Sequence, residues 1–154
     1  MKDFIDEFDG KFAFLSNFFP SPIKSEGIVY PTVEHFFQAQ KANTLSEKMA
    51  IAAAETPGRA KRLGRLVSLR PDWEEVKVDV MRSGLELKFL EPELRMKLLS
   101  TGDAPLIEGN TWHDNTWGDC KCERCKNKIG HNILGKLLMS IREGLKDNER
   151  ICSQ

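Results

Sequence analysis

The chain has no surplus of charge of either sign: 23 Lys and Arg stand against 23 Asp and Glu in 154 residues. No global field is therefore available to hold a polyanion such as duplex DNA non-specifically, and any nucleotide chemistry has to be local. No apolar run approaches the roughly 18 residues of a membrane span, and acids interrupt MKDFIDEFDGKF every few positions, so a soluble, cytoplasmic protein without signal peptide or membrane contact is expected. Internal repeats, low-complexity tracts and linkers are also missing. A single domain over residues 1–154 is the expectation, with enough apolar residues for one core. Cysteine is scarce, four in all, and three of these (Cys120, Cys122 and Cys125) fall inside six residues. Such spacing is poor for mutual disulfides. Free thiols are the reading adopted, with no metal and no cofactor expected; a zinc site of Cys120, Cys122, Cys125 and His131 is the alternative, although C-x-C-x-x-C is not the paired spacing of zinc ribbons.

Aromatic residues, by contrast, are crowded at the start. Six of the nine phenylalanines lie in the first nineteen residues, and FAFLSNFFPSP places Asn17 among them. Alternation there is short and broken by Pro20 and Pro22, which suggests a brief strand or hairpin running into Gly27-Ile28-Val29-Tyr30, the only sheet expected. An amide beside rings needs partners for its donors and acceptors. Either Asn17 bonds its own turn, as asparagine readily does, or a ligand satisfies it.

From Pro31 onward the pattern is helical, and the fold class is mainly α. Thr32 caps a helix through Lys41; Thr44-Leu45-Ser46-Glu47 is a capping box for a second; Thr56-Pro57 opens a third. Arg70-Pro71-Asp72 opens a long fourth, with Trp73, Val76, Val80, Gly84 and Leu87 on one face. Glu91-Pro92 starts a fifth, stopped by Gly102, and Asn132 caps a sixth with the stripe Ile133, Leu137, Leu138, Ile141 and Leu145. Between Gly109 and His131 lies a polar stretch too long for an ordinary connection, yet its Trp112 and Trp117 argue against disorder.

Three constellations could carry chemistry. Glu34, Gln38 and Lys41 stand at i, i+4 and i+7, one face of the first helix. That spacing also describes an ordinary wet face with a weak ion pair, and only the flanking aromatics speak against it. His35, lacking a partner at metal spacing, reads as a structural residue. Arg59, Arg62 and Arg65, with Lys61 beside them, form a cationic ridge that could hold a phosphate or simply face solvent. In Trp117-Gly118-Asp119 an acid follows a glycine that permits close backbone approach and a ring that could stack on a flat base. The helix after Asn132 would then offer exposed N–H groups near Gly135 to an anion or a sugar oxygen.

Taken in order, Leu15-Ser16-Asn17-Phe18, Tyr30 to Lys41, Thr101-Gly102-Asp103-Ala104, Trp117-Gly118-Asp119 and Asn132 to Met139 resemble the NADAR family, also called YbiA-like, over nearly the whole chain. The resemblance implies a compact helical N-glycosidase with a small N-terminal hairpin and a long polar loop near the active site. Its substrates would be small ribosylated molecules: phosphoribosylated aminopyrimidines of riboflavin synthesis, or ADP-ribose on a nucleobase such as guanine. Nucleic acid would enter only as a modified substrate, and the oligomeric state is left open. Glu34, Lys41 and Asp119 would be catalytic. Phe14, Asn17, Phe18, Gln38, Arg65, Trp117, Gly118 and Asn132 would line the substrate site. The cysteine-containing insert departs from the shorter bacterial pattern. Two other classes compete: a module that binds ADP-ribose or a nucleotide without cleaving it, and an interaction protein stapled by zinc.

Overall fold

The computed structural model describes residues 3–152. In chain order they form a 3₁₀ helix (Gly10–Leu15), strands β1 (Ile23–Ser25) and β2 (Ile28–Tyr30), helices α1 (Val33–Ala39), α2 (Leu45–Ala52), α3 (Pro57–Gly64), α4 (Trp73–Lys88) and α5 (Pro92–Ser100), strands β3 (Gly109–Asn110) and β4 (Asp119–Cys120), and helix α6 (Ile133–Cys152). The protein is mainly α, as the periodicity predicts. Among the described residues no helix is long and apolar enough to cross a membrane.

Local chemistry sets the helix starts. The hydroxyls of Thr32, Thr44 and Thr56 accept the amides of His35, Glu47 and Arg59 at 3.1, 3.2 and 3.1 Å, and the Glu91 carboxylate accepts Leu94 N–H at 2.9 Å. Each satisfies one of the amides a helix leaves orphaned in its first turn. Pro57 and Pro92 occupy the first helical position. The fourth helix departs from expectation: it starts at Trp73, and Asp72 makes no side-chain cap. Its carboxylate is held instead by Arg70, through Nε at 2.6 Å and Nη2 at 2.9 Å.

The chain divides into two compact units, Asn17–Leu90 and the remainder, which joins the residues up to Ser16 with those from Glu91 onward. In the first, β1 and β2 pair antiparallel with Ile23 opposite Tyr30. Their two-residue turn, Glu26 at φ +52° and Gly27 at φ +81°, has the left-handed backbone that tight hairpins require. Helix α1 packs on α2, α3 and α4. Its Phe36 meets Tyr30 edge-on at 5.6 Å, and Phe37 lies 5.0 Å from Trp73. The buried face of α4 is Trp73, Met81, Gly84, Leu85 and Lys88, rotated from the expected stripe, so that Leu87 is exposed where Lys88 is buried.

In the second unit the phenylalanine-rich start forms the 3₁₀ helix rather than a strand and packs on α5, which packs on α6. Phe14, Leu15, Leu94, Leu98, Leu106, Leu134 and Leu138 are buried there. A second small sheet, absent from the sequence expectation, pairs β3 and β4 in parallel with Gly109 opposite Asp119. The polar residues around it act as backbone partners. Asn110 Oδ1 accepts Trp112 and Asp114 N–H, both at 3.2 Å, and Asp114 Oδ1 accepts Thr116 and Trp117 N–H at 3.0 and 2.9 Å. Asn115 Oδ1 accepts Cys120 N–H at 2.9 Å. The stretch is long and polar because its own side chains replace the ladder it lacks.

Candidate active site

All seven residues of α1 are buried, including Glu34, His35 and Gln38. The wet-face reading of the polar stripe is therefore excluded for its acid and its amide. His35 fixes the helix: its Nε2 reaches the Ala54 carbonyl at 3.0 Å and its Nδ1 lies 2.8 Å from Thr32 Oγ1. A carbonyl only accepts, so Nε2 carries the proton and Nδ1 receives the threonine hydroxyl. Burial holds the imidazole below its usual pKa of 6.5, opposed by the Ala54 hydrogen bond. The structural role expected of His35 is what the coordinates give it.

Around Glu34 the polar groups are tightly placed. Gln38 Nε2 donates to Glu34 Oε1 at 2.8 Å, which fixes the carboxylate one helical turn below the amide. Glu34 N–H donates to the Asn17 carbonyl at 3.1 Å. Asn17 does not cap its own turn; its Nδ2 points at Met81 Sδ, 3.4 Å away. The outer oxygens of both amides, Asn17 Oδ1 and Gln38 Oε1, are buried without a hydrogen-bond partner. Each orphaned acceptor costs about 1–3 kcal/mol; Gln38 bonds the Glu34 carboxylate and Asn17 the Glu34 backbone amide, and a bound molecule rich in donors would satisfy both. Gly64 makes the arrangement fit: a Cβ there would lie 2.0 Å from Gln38 Oε1.

Helix α1 ends at Ala39 with Gln40 as its C-cap, short of the expected Lys41, so Lys41 follows the helix instead of completing its stripe; it is half-buried. Its Nζ lies 5.8 Å from the Phe37 ring centre and 5.9 Å from that of Trp73. Burial depresses its pKa most; Glu34 pulls it back up, while Arg65, Lys61 and Lys77 push it further down. Arg59, Arg62 and Arg65 are exposed, so the ridge faces solvent, and Arg65 contributes its field rather than a buried contact. Phe18 is exposed at 45%.

The remaining candidates belong to the other unit. Gly118 is buried, and a Cβ on it would lie 2.3 Å from the Glu108 carbonyl, so the close approach at this glycine is to the protein's own backbone. Asp119 Oδ1 accepts Gly130 N–H at 2.9 Å, and the carbonyl of Trp117, a half-buried residue, accepts Leu134 N–H at 3.0 Å. Phe14 is a core residue at 5% exposure. Asn132 uses both ends of its amide on backbone, accepting Glu108 N–H at 3.0 Å and donating to the Leu106 carbonyl at 2.9 Å. It therefore braces the loop instead of capping α6. The first amides of α6 are not open to an anion either, because Ile133 and Leu134 N–H donate to Thr116 and Trp117 carbonyls at 3.2 and 3.0 Å. Nor does His131 join the cysteines: it is exposed, and the imidazole grouped with Cys120, Cys122 and Cys125 is that of His113.

Three residues escaped the sequence reading. Gly64 and Met81 shape the surroundings of Gln38 and Asn17 and carry no chemical signal. Lys88, at 1% exposure, lies within 5.6 and 5.3 Å of the Phe19 and Phe89 rings, and burial lowers its pKa to about 7. A lysine in a helix reads as surface, and only the aromatic neighbours Phe19 and Phe89 hint otherwise.

The NADAR domain model matches residues 3–146. N-glycosidase YbiA of Shigella flexneri is 45% identical over 133 residues, 84% of this chain and 79% of that protein. A riboflavin biosynthesis protein of Vibrio vulnificus is 37% identical over 143 residues, covering 91% of this chain but 37% of its own length. The solution structure of Escherichia coli YbiA superposes with a TM-score of 0.80 at 40% identity, covering 97% of this chain and 89% of that one.

Proposed function

The chain belongs to the NADAR family, and from that premise we propose how it works as an N-glycosidase that hydrolyses the C–N bond between a ribose and a base-like group. The observation that carries the reading is a carboxylate buried in a helix without a wet side, its orientation fixed by Gln38, together with two acceptors lacking donors on the residues that bond Glu34. Those acceptors, Asn17 Oδ1 and Gln38 Oε1, complement a ligand rich in N–H or O–H groups. The exocyclic amines of an aminopyrimidine or of guanine, and ribose hydroxyls, supply them. A phosphoribosylated aminopyrimidine of riboflavin synthesis and an ADP-ribosylated guanine both meet that description; the riboflavin name of the Vibrio relative supports the former.

As the C1′–N bond breaks, positive charge develops on the sugar, and a fixed carboxylate stabilises it more than it stabilises the neutral ground state. Glu34 fills this role and takes a proton from the water whose oxygen bonds to C1′, while the departing nitrogen keeps the bonding pair and is protonated. Lys41 offers a second route: as a neutral amine it attacks C1′ of the ring-opened sugar, displacing the base nitrogen as its free amine and forming a Schiff base, which water then hydrolyses to the sugar aldehyde and the free lysine. Its depressed pKa favours the neutral form. By the family resemblance, Asp119 is assigned to holding a ribose hydroxyl or relaying a proton, Trp117 and Phe18 to the flat face of a base, and Arg65 to a phosphate.

Glu34→Gln keeps the Oε1 that Gln38 donates to and removes the charge. Turnover on a ribosylated aminopyrimidine should fall about 10²–10⁴-fold with little change in substrate affinity. Unchanged release of base would remove Glu34 from the chemistry. Intact ligand bound stoichiometrically after long incubation with wild-type protein would instead identify a binding module.

A further inference from the structure

The loop between β3 and α6 holds a group of side chains for which the glycosidase chemistry has no use. The imidazole of His113 and the thiols of Cys120, Cys122 and Cys125 present ligand atoms that all lie within 4.8 Å of one another. His113 Nδ1 stands 3.3 Å from Cys122 Sγ and 3.5 Å from Cys125 Sγ, and the His113 N–H donates to Cys120 Sγ at 3.3 Å. Cys120 and Cys125 are each 3% exposed, and none of the three thiols is in a disulfide. Cys122 and Cys125 sit on one tight turn, closed by Cys125 N–H on the Cys122 carbonyl at 3.0 Å.

Zinc–ligand lengths of about 2.3 Å to sulfur and 2.0–2.1 Å to nitrogen give a tetrahedron with N···S edges of roughly 3.6 Å and S···S edges of roughly 3.8 Å. The two N···S separations fall close to that edge. His113 also holds a left-handed backbone, φ +67°, which costs a residue other than glycine of order 1–3 kcal/mol and persists where the surroundings demand it. Here it accompanies the placing of an imidazole beside three sulfurs that lie seven to twelve residues further along. We propose that His113 Nδ1 and the thiolates of Cys120, Cys122 and Cys125 form a structural zinc site. Four protein ligands leave no open position, and three soft sulfurs with one nitrogen select zinc over the oxygen-seeking cations. Binding exchanges three S–H bonds for three Zn–S bonds and sends the protons to solvent. Because Cys120 pairs with Asn110 in the small sheet, next to Asp119 opposite Gly109, the metal fastens the segment that carries Trp117 and Asp119.

The full chain, purified under reducing conditions without chelator, should contain about one zinc per molecule by elemental analysis. Zinc-depleted protein titrated with Co²⁺ should develop the intense visible bands of a tetrahedral thiolate complex. His113→Ala, at an exposed position, should weaken Co²⁺ uptake roughly ten-fold or more, while His131→Ala should leave it unchanged; circular dichroism verifies that both variants fold. Protein that carries no zinc and takes up no Co²⁺, or a disulfide among the three cysteines by mass spectrometry, or equal uptake by the His113→Ala variant, would overturn the assignment.

Discussion

Replacing Lys88 by methionine should make the protein more stable, by an amount that depends on pH. The ammonium is buried between rings and its pKa falls from 10.5 to about 7, so from pH 7 to 10 the folded chain binds fewer protons than the unfolded one. Stability therefore rises with pH across this window and is lowest at and below pH 7. At about 1.4 kcal/mol per unit, a gap of about 3.5 units amounts to a penalty near 4 kcal/mol at pH 7, shrinking to about 1 kcal/mol at pH 10. Methionine keeps a stem of similar length against Phe19 and Phe89 and discards the charge, while losing a cation–π attraction of about 0.5–2 kcal/mol. The net gain expected at neutral pH is about 2–4 kcal/mol. Urea unfolding of both proteins at several pH values tests it, because the difference between the two curves cancels every other titrating group. A difference that is flat from pH 7 to 10, or a methionine variant that is less stable at pH 7, would refute the reasoning.

Other expectations concern the site. Gly64→Ala gains up to about 1 kcal/mol of helix propensity but drives a methyl into Gln38 Oε1, at an overpacking cost of about 1–3 kcal/mol; kcat should fall as the Gln38 to Glu34 bond is lost, and a raised melting temperature with normal kcat would contradict this. For His35, whose folded pKa lies below 6.5, stability is complete above that pH and declines as pH falls through the window beneath it, by at most about 1.4 kcal/mol per unit; the slope should vanish in His35→Gln, and urea midpoints between pH 7 and 5 measure it. Lys41→Arg keeps a cation but cannot condense with an aldehyde, so borohydride trapping followed by mass spectrometry should give an adduct with wild type only; an adduct on the arginine variant would assign the Schiff base elsewhere.

The starts of α1, α2, α3 and α5 were legible because each is a local event: a threonine or glutamate accepts an amide three residues on, and proline costs nothing at the first position. What the sequence could not convey was which side of a helix meets the core. Glu34 and Gln38 have the spacing of a wet stripe, and their burial depends on α2, α3 and α4 closing around α1. The same holds for α4, where the rings of Phe19 and Phe89 admit the stem of Lys88 and leave Leu87 outside. Strands of two residues, such as β3 and β4, have no period to detect. Among the ligands of the cysteine cluster, His131 looked nearer in sequence to Cys125 than His113 does, six residues against twelve; the turns made by Asn110, Asp114 and Asn115 bring the other one home.

Helix α1 has no outward side, and this bears on how such a protein can diversify. A seven-residue segment buried at every position leaves no room for added bulk or for a further charge beside Glu34, so it cannot drift toward a new specificity by gradual surface change. On the function proposed above, change in substrate choice falls instead to exposed positions such as Phe18 and Arg65, where a replacement leaves the buried Glu34 and Gln38 undisturbed.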